Sequence, residues 1–235
     1  MGKKLSLLVA PTVVFLLLAF NFSAGLAASY YSEQTDFTET FVPMTGHRWD
    51  QDDIESCIYS EDGGVDNAYY VWTKLSVQKW RQALQDYTGN QEGWNITARS
   101  VKSQAELESC DIKVYIYDKY SHFPDYPAQT GAYTSVKFRD GNDNNNNNNN
   151  LDVQIYLSPL VLHGDGKTEI KLPSYAFRNS AVHELGHALG LGHMHSQKGY
   201  LMSPQFDFWE ESQQLPITTL ELDALVKAYG TDGFG

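Results

Sequence analysis

Residues 182–193 read VHELGHALGLGH. His183 and His187 lie four positions apart, so on a helix both rings share one face and can reach a single ion. Glu184 is offset from His183 by about 100° around the helix axis, close to the ion's open side without being a ligand. Gly190 lies three positions beyond His187, and His193 three beyond that. A continuing helix would carry His193 away along its axis, so the chain must break and turn back. Gly190 tolerates the positive φ such a turn demands. The eleven-residue pattern has a chance expectation on the order of 1 in 100,000 for a chain of this composition. Three neutral imidazoles leave one position on a zinc ion for water.

Working outward, this helix is predicted over about residues 176–191. Five strand candidates precede it: 54–59, 94–101, DIKVYIY at 111–117, GAYTSVKF at 131–138 and LDVQIYLS at 151–158. A long helix is predicted over 66–87, opened by Asp66, with apolar residues recurring at steps near three and four. The final helix, 218–229, carries Thr218 and Glu221 at capping-box spacing, and Gly230 closes it. Between the last two strands lie seven consecutive asparagines at 144–150, which read as a polar loop. Asp140, Asn142 and Asn144 alternate like the start of a calcium loop, but the sixth-position glycine and closing glutamate are missing. Ca2+ is therefore the weaker reading there, beside a plain loop.

The chain begins Met1-Gly2-Lys3-Lys4, then runs apolar from 5 to 20 and ends small at Gly25-Leu26-Ala27. This pattern predicts a secretory signal peptide over 1–27, cleaved near Ala27, with an uncleaved anchor as the alternative. Residues 28–45 read as an N-terminal extension and 46–231 as one folded domain. Export makes Cys57 and Cys110 a disulfide candidate. The loop they enclose would contribute about 4 kcal/mol by the chain-entropy argument. A net charge of −12 disfavours nucleic acid as a partner.

HELGHALGLGH, residues 183–193, resembles the metzincin clan of zinc metalloproteases. SAVHELGHALGLGH is similar to the active-site helix of the matrixins. LMSPQF, 201–206, is similar to their Met-turn, and ITTLELDALVKAYG, 217–230, to their closing helix. The resemblance covers about residues 48–230. It implies an α+β zincin-like fold: a twisted five-stranded mixed sheet, two long helices, one bearing the zinc motif, and a C-terminal helix after a Met-turn. It places Met202 beneath the zinc and Pro204 and Phe206 in the S1′ wall. It also makes Gly131, Ala132, Tyr133 and Thr134 the sheet edge against which an extended peptide lies.

Departures narrow the expectation. Met194 stands where matrixins often carry Ser or Thr, which weakens the subfamily assignment. No tyrosine follows Met202 by two positions, so an additional tyrosine ligand is not expected. The segment ahead of the domain is short for a propeptide with a zinc-blocking cysteine. His122 and Asp125 lie in the loop region where matrixins hold a second zinc, but the two following strands lack histidine, so that zinc is not expected. His47, His122, His163 and His195 read as surface residues, and Asn95-Ile96-Thr97 is a glycosylation sequon.

The expected activity is that of a secreted, monomeric metalloendopeptidase with one catalytic Zn2+. Glu184 would act as general base on the zinc's water and a polypeptide would be the substrate. A membrane is expected as partner only if the N-terminal segment stays uncut. Two alternatives are a non-catalytic zinc module that captures peptides and an adhesion domain in which metal only holds the fold. The intact Glu184 favours catalysis, because binding alone needs no base.

Overall fold

The computed structural model describes residues 30–33, 41–60, 67–119, 131–138, 151–195, 199–204 and 213–234. The predicted signal peptide at 1–27, Asp66, His122, Asp125, the calcium-like Asp140, Asn142 and Asn144, the asparagine run and Phe206 lie outside them. In chain order the elements are β1 (Tyr31–Ser32), β2 (Asp53–Tyr59), α1 (Asn67–Thr88), β3 (Asn95–Ser100), α2 (Gln104–Glu108), β4 (Ile112–Ile116), β5 (Ala132–Phe138), β6 (Leu151–Leu157), β7 (Leu160–Leu162), β8 (Glu169–Lys171), α3 (Ser174–Ala188), β9 (Ile217–Thr218) and α4 (Thr219–Tyr229).

Alternation shapes the main sheet. Leu151, Val153, Ile155 and Leu157 of β6 are buried while Asp152, Gln154 and Tyr156 are half-exposed on the other face. The strand order is β3-β2-β4-β6-β5. Neighbours pair in parallel except β5, which runs antiparallel to β6 from Ala132↔Leu157 to Phe138↔Leu151. The sheet is thus five-stranded and mixed, and β5 is its edge near the metal motif. On the buried face, α1 and α3 pack together through a core that includes Trp80, Leu84, Phe177 and Leu185. The Trp80 indole N–H donates to Val182 O at 2.8 Å, fixing α1 against the motif helix.

Two features depart from simple patterning. Lys113 occupies an alternate position of β4 yet is buried, its ammonium paired with Asp152 at 2.7 Å and Glu108 at 2.8 Å. That pairing is what permits its burial. Helix α2 and the β7–β8 hairpin are too short to give a periodic signal. The Cys57–Cys110 bridge is formed, with Cα atoms 5.9 Å apart. The capping box of Thr218 and Glu221 at the start of α4 is also formed. No helix among the described residues is long and apolar enough to cross a membrane.

Candidate metal centre

Helix α3 is buried around most of its circumference; His183 and Glu184 are buried and His187 is half-buried. It stops at Ala188, three residues before the predicted end. Gly190, at φ 107°, closes it. Gly190 N donates to His187 O at 2.9 Å and Leu191 N to Gly186 O at 3.0 Å, the two bonds of a Schellman motif. A Cβ on Gly190 would lie 3.0 Å from His47 O and 2.8 Å from Met44 Cε. The turn therefore needs glycine for both its dihedral and its space.

That turn brings the third histidine back. His193 Nε2 lies 3.2 Å from His183 Nε2 and 3.0 Å from His187 Nε2. Four ligands at about 2.05 Å in a tetrahedron stand about 3.3 Å apart, so the spacing suits one shared zinc ion. The ring tautomers agree. His183 Nδ1 is 2.6 Å from Leu201 O and His187 Nδ1 is 2.7 Å from Leu191 O. A carbonyl oxygen only accepts, so both Nδ1 atoms carry the hydrogen and both Nε2 atoms present lone pairs. Together the three histidines form a group that could hold a metal ion.

Burial drives the local electrostatics. It holds His183 well below the ordinary histidine range and His187 at about 4, against the opposing pull of the Leu191 carbonyl on His187. His193, more open, is lowered by the same cause. Neutral imidazoles are the form that binds metal. Desolvation raises the Glu184 carboxyl to about 8, opposed by a hydrogen bond from Thr134. A divalent cation beside it would draw that value down.

Supports converge from three segments. In the turn at 200–203, Ser203 N donates to Tyr200 O at 3.2 Å and Met202 is fully buried. A Cβ on Gly186 would lie 2.7 Å from Met202 Sδ, so glycine lets the sulfur sit directly against the helix. Met202 O accepts from Met194 N at 2.9 Å, tying the His193 segment to the same turn that orients His183.

The second support is residues 41–47, to which sequence reading gave no role. Pro43 O accepts from Gly192 N at 2.6 Å, and Thr45 N donates to Gly190 O at 2.8 Å. A Cβ on Gly192 would meet Pro43 O at 3.1 Å. His47 is a correction: it is buried rather than on the surface, with Nδ1 2.7 Å from Thr45 Oγ1 and Nε2 3.3 Å from Ala188 O. Its ring braces the end of α3. His163 and His195 are exposed.

The third support is β5. Thr134 Oγ1 lies 2.6 Å from Glu184 Oε2 and 3.0 Å from Glu184 O. Tyr133 faces the opposite side of the sheet and stacks on Tyr156, ring centroids 4.5 Å apart. Gly131 is buried and its carbonyl accepts from Ser158 N at 2.8 Å, so it closes the ladder with β6. Ala132 is half-buried and Pro204 exposed. Of these contacts, only the Thr134–Glu184 bond touches the metal helix directly.

A helix-borne histidine pair, a glycine turn returning a third histidine, and a mixed sheet with an antiparallel edge strand define a metzincin. The family model of the matrixins, peptidase family M10, matches residues 90–230. The chain belongs to that family of zinc metallopeptidases. No curated protein matches it.

Proposed function

We propose that the protein is an exported zinc endopeptidase that cleaves internal bonds of polypeptides. The observation that carries this is the convergence of the three Nε2 atoms of His183, His187 and His193, with the carboxylate of Glu184 buried on the helix that bears the first two. His183, His187 and His193 would hold the ion, and zinc there would supply Lewis acidity to a carbonyl and to water. Glu184 takes the proton of the attacking water and returns it to the leaving amine. The turn at 200–203 serves as the Met-turn. Pro204 and Phe206 contribute to the S1′ wall.

The peptide lies along β5. Ser158 N donating to Gly131 O fixes the antiparallel parity. The main-chain groups of Ala132, Thr134 and Val136 then point away from β6, where an extended substrate can add a strand. Residues 1–27 act as the signal peptide, 28–45 as an extension whose residues 41–45 pack against the site, and 46–231 as the catalytic domain. The formed disulfide supports an oxidising compartment.

Glu184→Gln tests the assignment. The variant should retain one zinc per chain, measured by metal analysis, and lose at least about 100-fold in turnover of a quenched peptide library. A variant as active as wild type would sink the mechanism. Activity that survives complete zinc removal would sink the metal's role.

A further inference from the structure

We propose that Thr134 is a positioning residue for the general base: its hydroxyl clamps one oxygen of Glu184 so that the other is presented to the reacting water. This rests on the reading of Glu184 as the base.

The geometry is specific. Thr134 Oγ1 stands 2.6 Å from Glu184 Oε2, a distance expected of a hydroxyl donating to a carboxylate. The same hydroxyl lies 3.0 Å from the main-chain oxygen of Glu184, so it sits against the helix backbone at the residue whose side chain it holds. Among the described residues, Oε1 takes no hydrogen bond and is left for the proton in transfer. Glu184 is buried, so its carboxylate is otherwise short of donors. A glutamate has three side-chain torsions; one charge-assisted bond to a strand removes most of the freedom that would misdirect Oε1.

The position of Thr134 in β5 adds a second consequence. Its side chain points to α3 while its main-chain groups lie at the open edge, where the substrate strand would pair. A peptide seated on β5 therefore presses on the residue that holds the base. Binding and base orientation share one residue, and the bond is set by strand register: Thr134 pairs with Ile155, in the middle of β6. A slip of one residue would swing the hydroxyl to the outer face, where Tyr133 now lies.

The test compares Thr134→Val, which keeps shape and removes the donor, with Thr134→Ser, which keeps the donor. Thr134→Ala replaces the Val variant if that one fails to fold. Turnover of a quenched peptide, zinc content and thermal melting are measured on each. In the Val or Ala variant kcat should fall about 10- to 100-fold with KM within about threefold. Zinc should stay at one per chain, and Thr134→Ser should recover to within about threefold of wild type. In a Glu184→Gln background the Val substitution should cause no further loss, because the two residues act as one unit. The inference is overturned if Thr134→Val keeps wild-type kcat, if Ser fails to rescue, or if the losses add in the double variant. A Glu184→Gln variant as active as wild type would instead remove the reading on which the inference stands.

Discussion

Replacing Gly190 by alanine should loosen the metal site without touching a ligand. Gly190 has φ of 107°, a region in which an L-residue is strained by about 1–3 kcal/mol. The added Cβ would stand 2.8 Å from Met44 Cε, which can rotate away, and 3.0 Å from His47 O, which is backbone and must shift. Crowding of this kind costs about 1 kcal/mol or more. The sum is about 2–4 kcal/mol, which for a domain of this size lowers the melting midpoint by about 5–15 °C. Relief comes most readily by moving the chain between Gly190 and His193. If 1.4 kcal/mol of the strain relaxes that way, zinc affinity falls about tenfold. Competition against a fluorescent chelator measures the affinity and calorimetry the midpoint. Gly89→Ala is the control: its φ is 70°, nothing lies within 4 Å of the added Cβ, and it ends α1 away from the histidines. It should cost about 1 kcal/mol and leave zinc affinity unchanged. If the two variants match in melting and in zinc affinity, the turn at Gly190 does not hold the site.

Two further outcomes follow from the same structure. In zinc-free protein, burial holds the Glu184 carboxyl at about 8 against an ordinary 4.5. Between those values the folded chain keeps a proton that the unfolded chain has released, so this stabilisation is full below 4.5 and is lost as pH rises through about 8. Zinc-free wild type should therefore lose stability relative to zinc-free Glu184→Gln between pH 5 and pH 8, by up to about 1.4 kcal/mol per pH unit; a difference of opposite sign in paired melting curves would refute the buried-acid account. Replacing both Cys57 and Cys110 by alanine opens a loop of 53 positions and should cost about 4 kcal/mol in denaturant titrations. Zinc content should remain at one per chain, because the bridge packs with Val101 and Leu107 in a cluster separate from the main core.

Local chemistry was readable wherever a side chain's role follows from its spacing along one element. The four-residue step of His183 and His187, the glycine before His193, the capping box at Thr218 and the alternation of β6 all belong to that class. His47 was misread because an isolated histidine in an irregular segment gives no periodic signal. Its burial depends on Ala188 and Thr45, which meet only in the folded chain. The same holds for residues 41–47: nothing in a short, aperiodic stretch shows that its backbone will pair with Gly190 and Gly192. Lys113 is another case, since its partners Glu108 and Asp152 come from different elements.

By itself, then, the sequence marked the three histidines, the glycine at which the chain turns between them, and the order of the five main strands and three long helices, because each is written in a pattern of spacing along the chain. Tertiary structure decided what holds those groups in place. Strand register put the Thr134 hydroxyl rather than the Tyr133 ring against Glu184. Close packing made Gly186 the seat of Met202, and the carbonyls of Leu201 and Leu191 engage Nδ1 of the two helix histidines, which leaves Nε2 of each facing His193. Each of these pairs groups distant in the chain or set by the folded path, and only a packed backbone fixes their distance to a few tenths of an ångström.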